Sequence, residues 1–262
     1  MHPSIYSACW DSSGPPFGTP GFVILLLKKR GVSLAELNQI GPAATPHTKG
    51  FPWRFAPRSE SVLAMLGMAF CYIYVYTFFQ TWFHTFLVRG RGFSEGSLVF
   101  SALPYVVAAC ANLTGGAASD ALVRRLGLKW GRRSLGIAGL GSACLFTIAA
   151  MVTRQHLLTV ILLSLVYGGI TFQQAGVFGV CLDIGRRHAG SMVGLMNTSA
   201  QVGGLVSTVA YGYLVDRFRS YDAPFVPMAA LLLLGAILWF KIDASRELST
   251  ESFATPAQVL TR

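Results

Sequence analysis

Six stretches of this 262-residue chain contain no Asp, Glu, Lys or Arg: 61–88, 96–119, 134–153, 155–182, 188–215 and 223–240. Together they hold 146 residues, so all 32 charged side chains fall in the remaining 116 positions. A helix needs roughly 20 apolar residues to cross a hydrocarbon core, and a charge at its centre costs at least about 2.5–3.5 kcal/mol. Six charge-free runs of that size therefore predict an all-α membrane protein, a six-transmembrane-helix bundle. Only 12% of the residues are charged and 53% are apolar, whereas soluble domains carry about 25% charge. That balance excludes ordinary soluble folds and disordered chains. A membrane β-barrel would instead alternate in segments of about ten residues.

The net charge of +10 raises nucleic acid as a partner, and the positions of the charges remove it. Six Lys or Arg precede the first span, the successive loops carry 2, 5, 1, 2 and 2, and three follow the last span. Taken alternately, 16 lie on one side and 5 on the other. Basic loops stay in the cytoplasm, so both termini are expected there, and orientation accounts for the excess without any nucleic-acid motif.

The expected organisation is a cytoplasmic segment and linker over 1–60, a transmembrane domain over 61–243 and a cytoplasmic tail over 244–262. Residues 1–21 have no periodicity and read as disordered, while 22–30 pair a short apolar run with Lys28, Lys29 and Arg30, as the stump of a helix would. Pro42, Pro46, Pro52 and Pro57 suit a linker. The five cysteines form no C-x-x-C pair and read as small buried hydrophobes. No cofactor is implied.

With charge excluded from the spans, uncharged polar residues carry the information. In span 5, Gly190, Gly194, Asn197, Gln201, Gly204 and Thr208 follow steps of 4, 3, 4, 3 and 4, which puts them on one helical face. Span 4 has Tyr167, Thr171 and Gln174 beside Gln173, and span 1 has Tyr72, Tyr76, Gln80 and His84 at steps of four. An amide in hydrocarbon must be hydrogen-bonded. Each stripe therefore either bonds a neighbouring helix or lines a wet cavity, and three stripes together favour the cavity. The candidate ligand contacts on these stripes are Tyr72, Tyr76, Gln80, Gln173, Gln174, Asn197 and Gln201. His84, near the outer end of span 1, is open to a gating role or an interfacial one.

The most basic loop joins spans 2 and 3 and contains Gly116, Asp120, Arg124, Arg125, Gly127, Arg132 and Arg133. A Gly, an Asp four residues on, a further Gly and paired basic residues resemble motif A of the major facilitator superfamily. The resemblance implies a cytoplasmic conformational latch, in which Asp120 pairs with the loop arginines or sits at a helix N-terminus, where the dipole favours an anion. Plain positive-inside charge is the alternative reading of the same arginines. Further matches lie in 70–87, in Arg91-Gly-Phe-Ser94 with Leu103-Pro104, and in 183–197 running into Gly212-Tyr-Leu-Val-Asp216. Together they look like the C-terminal half of the anion:cation symporter family, over residues 31 to 248, with the spans matching helices seven to twelve.

The resemblance implies a six-helix bundle equivalent to the second half of a major facilitator fold, moving a small organic anion, hexuronate or sugar-acid-like, by alternating access. It implies a bilayer, a missing N-terminal half or a second copy as partner, and proton or sodium as coupling ion, in a bacterial inner membrane. It also marks a departure, because the embedded arginines and acids of the family's first half are absent: no span contains Arg, Lys, Asp or Glu. A non-transporting membrane remnant is the alternative. An enzyme is not expected, since no Gly-x-Ser-x-Gly, His-Glu-x-x-His or embedded acid pair occurs.

Overall fold

The computed structural model describes Trp53 and residues 56–94 and 98–245, and the expectations for 1–30 and for the tail from 246 lie outside them. Among the described residues every regular element is helical. The helices are α1 (Glu60–Thr81), α2 (98–126), α3 (128–152), α4 (His156–Gly185), α5 (Ala189–Phe218) and α6 (Phe225–Trp239). Past Trp82, α1 is prolonged by the turn Phe83–Thr85 and a π-helical turn Phe86–Gly90.

α2 and α3 run on as one segment, Leu98–Val152, broken at Gly127 (φ 77°, ψ 170°). The stretch 120–133 is therefore helical apart from one residue, where its charge suggested an open loop. Leu122, Val123, Leu126 and Leu128 supply apolar positions between the arginines, and Gly127 alone takes the positive φ that reverses the chain.

Among the described residues, three segments are long and apolar enough to cross a membrane: Glu60–Thr81, Phe100–Val152, which contains both α2 and α3, and His156–Gly185. α5 has the length, at 30 residues, but its Gly, Ser, Thr, Asn and Gln positions dilute its apolar character. α6 is only 15 residues long, about 22 Å at 1.5 Å per residue.

α4 packs along α2 and α3, α1 lies against α5, and α6 contacts both α1 and the α2–α3 segment. Small residues permit these approaches. A Cβ at Gly115 would collide with the Phe172 carbonyl of α4, and one at Gly203 with the Phe70 carbonyl of α1. Phe78 joins α1 to α5 and α6 through Tyr211 and Phe225, with ring centroids 5.3 and 5.5 Å away.

Ion pairs tie the two ends of the bundle. At the basic end, Lys241 meets Glu60 at 3.1 Å and Lys129 meets Asp243 at 2.9 Å. At the opposite end, Arg91 pairs with Asp222 at 2.8 Å and sits over the Phe86 ring, while His156 Nδ1 lies 2.7 Å from the Arg91 carbonyl.

Candidate functional site

Four polar side chains from three helices converge in the half of the bundle farther from the basic end. The Gln80 amide of α1 donates to the Tyr76 hydroxyl at 3.0 Å and to the Tyr167 hydroxyl of α4 at 3.3 Å. The Tyr105 hydroxyl of α2 donates to the Phe79 carbonyl at 2.7 Å and lies 3.4 Å from Gln80 Oε1. Tyr167 anchors the group, stacked on Phe79 at 4.5 Å, tilted against Tyr76 at 5.2 Å and edge-on to Tyr105 at 5.6 Å. It is 2% exposed, whereas Tyr105 is 41% exposed. Gln80 is also exposed. A buried aromatic floor thus carries an accessible amide and hydroxyl, able to bond neutral polar groups and holding no charge of its own.

The other residues singled out from sequence scatter around this centre. Tyr72 is buried in the core. Gln173 is fully buried and turned toward α6, where its Oε1 accepts the Trp239 indole N–H at 3.2 Å. Its neighbour Gln174 is half-buried. Asn197 and Gln201 are exposed on α5. Elsewhere on the stripes, Thr171 Oγ1 donates to the Ala108 carbonyl of α2 at 3.2 Å, and Thr208 bonds back to Gly204 at 3.0 Å. His84 Nδ1 lies 3.2 Å from Ser101 Oγ.

At the basic end, Arg132 is the focus. Its Nε donates to Asp183 Oδ2 of α4 at 3.1 Å, and its NH1 donates to Ser119 Oγ. The guanidinium lies flat over Gly179, where a Cβ would strike it. Arg133 donates to the Ile242 carbonyl at 2.6 Å and covers the Trp130 ring at 5.4 Å. Asp120, Arg124 and Arg125 are exposed, and the carboxylate that holds Arg132 is Asp183. Gly116 faces open space, while Gly115 is the glycine pressed against α4. Burial would raise the Asp243 pKa, but hydrogen bonds from Ser245 and Lys129 and the Lys129 charge outweigh it and hold the group at about 2.

Two contributors were missed in the sequence. Tyr105 is the single tyrosine of span 2, directly after Pro104, and no periodic partner drew attention to it. Asp183 stands at the charged edge of span 4, 51 residues from Arg132. Neither spacing reveals the contact, because both depend on how α2 and α3 clasp α4.

Comparison with known proteins adds a family. The model of the Major Facilitator Superfamily matches residues 15–208. A probable sulfoacetate transporter of Cupriavidus necator is 33% identical over 213 residues, 80% of this chain and 48% of the relative. The chloroplast ascorbate transporter of Arabidopsis thaliana is 28% identical over 190 residues, covering 72% and 35% of the two chains. A voltage-gated purine nucleotide uniporter of Mus musculus is 28% identical over 185 residues, covering 70% and 41%. The chain spans less than half the length of these relatives.

Proposed function

Because the chain belongs to the Major Facilitator Superfamily, we propose that it forms the C-terminal half of a transporter for small organic anions. The observation that carries this reading is the cluster of Tyr76, Gln80, Tyr105 and Tyr167, with Gln80 and Tyr105 exposed inside membrane-length helices. Polar side chains at that depth need water, a ligand or a facing protein surface. A complementary six-helix half, or a second copy of this one, would enclose them in a central cavity.

The cluster suits the neutral hydroxyls of a hexuronate or related sugar acid, with Asn197 and Gln201 of α5 as further contacts. The carboxylate would be neutralised by the other half, since no span of this chain carries a cation. Transport would proceed by rocking of the halves about a midplane site, driven by a proton or sodium gradient. The Arg132–Asp183–Ser119 contact would latch the cytoplasmic end in one state, and both termini would be cytoplasmic, in a bacterial inner membrane. The relatives named for sulfoacetate, ascorbate and purine nucleotides support an anion as the shared property.

The test is uptake of labelled hexuronate and other organic anions into proteoliposomes under proton or sodium gradients, with crosslinking to count subunits. Gradient-dependent uptake that falls at least tenfold in Gln80→Leu, from crosslinked pairs, is the expected result. Folded protein that takes up nothing, alone or with a complementary half, would instead be a non-transporting remnant.

A further inference from the structure

We propose that the corner joining α2 to α3 binds an anionic phospholipid, with its phosphate held by Arg124 and Arg125 and its glycerol level marked by Trp130. Five cations lie over 124–133. Lys129 and Arg132 are matched by Asp243 and Asp183, and Arg133 donates its Nε to the Ile242 carbonyl. Arg124 and Arg125 are exposed, and among the described residues neither has an ion pair or a hydrogen-bond partner. Set against Asp120, Asp183 and Asp243, the five cations leave an excess of two positive charges at this corner. The retention of basic loops in the cytoplasm accounts for the sign of that charge. It does not account for the large apolar side chains exposed among it, Leu126 at 52% and Trp130 at 54%.

α3 shows what covers them. Trp130, Ser134, Ala138, Gly141, Leu145 and Ile148 follow steps of 4, 4, 3, 4 and 3, so they share one helical face. Trp130, Ala138, Leu145 and Ile148 are exposed, whereas Gly136, Gly139 and Ala143 on the opposite face are buried. From Trp130 to Ile148 the helix rises about 27 Å at 1.5 Å per residue, nearly the thickness of about 30 Å of a hydrocarbon core. None of the polar side chains assigned to a facing half lies on α3, so this stripe is its lipid-facing side. Trp130 therefore stands where acyl chains give way to headgroups, the level at which membrane tryptophans gather. The Arg133 guanidinium lies over its ring at 5.4 Å.

The fold brings the two free arginines to the same level. A Cβ at Gly131 would strike the Val123 backbone, so the first turn of α3 lies directly against the last turn of α2. Arg124 and Trp130 each adjoin that crossing, and Gly127 turns the chain between them. A guanidinium offers a planar fork of donors to phosphate and makes charge-assisted bonds with it. Two of them beside an interfacial tryptophan fit the phosphodiester of a lipid whose headgroup adds no cation. A choline or ethanolamine headgroup would instead bring its own positive charge against them. The acyl chains then run along the exposed stripe of α3. The site depends on the bundle lying in a bilayer and not on the anion transported.

Native mass spectrometry of the full chain released from detergent micelles tests the site, with phosphatidylglycerol and phosphatidylcholine of identical acyl chains as probes. Each basic side chain near a charged membrane surface is worth about a fivefold change in binding, so the first phosphatidylglycerol should bind roughly 25-fold more tightly than phosphatidylcholine. Arg124→Gln and Arg125→Gln should each lower that preference about fivefold, and the double variant should abolish it. Phosphatidylcholine binding should stay unchanged throughout, as the measure of an intact fold. Arg154→Gln removes an exposed cation beyond the other end of α3 and should leave the preference intact. Equal binding of the two lipids by the wild type overturns the proposal. An equal loss in Arg154→Gln also overturns it, because the effect would then belong to net charge alone. Glycerol phosphate, which has the phosphate without the chains, should not displace the lipid at equal concentration; displacement would mark a site for free anions and equally overturn the proposal.

Discussion

Removing either partner of the Arg132–Asp183 pair should cost more stability than removing both. The pair is 3.1 Å apart, with the two side chains 14% and 22% exposed. At an effective dielectric constant of about 20, that separation gives an attraction of about 5 kcal/mol. Desolvation removes several kcal/mol of it, leaving a net coupling of about 1.5–3 kcal/mol, as for other charge-assisted hydrogen bonds. Arg132→Met, Asp183→Asn and the double variant form a cycle, measured by equilibrium unfolding in mixed micelles of increasing dodecyl sulfate fraction. Arg132→Met leaves the Asp183 carboxylate enclosed without its cation, and adding Asp183→Asn should recover part of the loss. Independent sites add within about 0.3–0.5 kcal/mol, so a coupling inside that margin would refute the idea that this contact clamps α3 to α4.

Gly179→Ala should weaken the same clamp by driving a methyl group into the Arg132 guanidinium, at about 1–3 kcal/mol by overpacking; an unchanged unfolding midpoint would contradict it. Gln173→Leu should cost about 1 kcal/mol, because Trp239 loses its acceptor while the unpartnered Gln173 Nε2 is also removed. It should leave the KM of any transported anion unaltered, and a large KM change would place Gln173 at the substrate. The Asp243 pKa is lowered from 3.8 to about 2, so its contribution to stability is complete above pH 3.8 and is lost as pH falls toward about 2. The stability difference between the wild type and Asp243→Asn should shrink over that interval, and a difference independent of pH would dismiss the Lys129 contact as its source.

The six helices were legible because excluding charge from hydrocarbon is a strong and local rule. Residues 120–133 escaped it, since arginines on a helix and arginines in a loop look alike when only charge is counted, and a single glycine at φ 77° makes the turn. Periodicity located the stripes but not which way they turn. Gln173 and Gln174 differ by one residue, about 100° of helix, and the first is fully buried against Trp239 while the second is half-buried. Tyr72 and Tyr76 share a face one turn apart, yet Tyr72 is 2% exposed and Tyr76 reaches Gln80. Asp120 is closer to Arg132 in sequence than Asp183 is, but the packing of α4 on α2 and α3 decides the pairing. Those choices depend on contacts between distant segments, which a one-dimensional pattern does not contain.

The polar character of α5 bears on how the protein is made. Its Ser199 hydroxyl donates to the Leu66 carbonyl at 2.8 Å, 133 residues earlier, and Gly203 closes on Phe70 of the same helix. At translation rates of about 5–20 residues per second, α5 leaves the ribosome roughly 7–27 s after its partner. During that interval α1 stands in the bilayer without the neighbour that covers its Leu66 and Phe70 carbonyls. α5 itself, short of apolar content, gains from entering the lipid directly against α1 rather than alone. Biogenesis of this chain therefore favours an insertion machinery able to hold early helices beside the exit site until the fifth arrives.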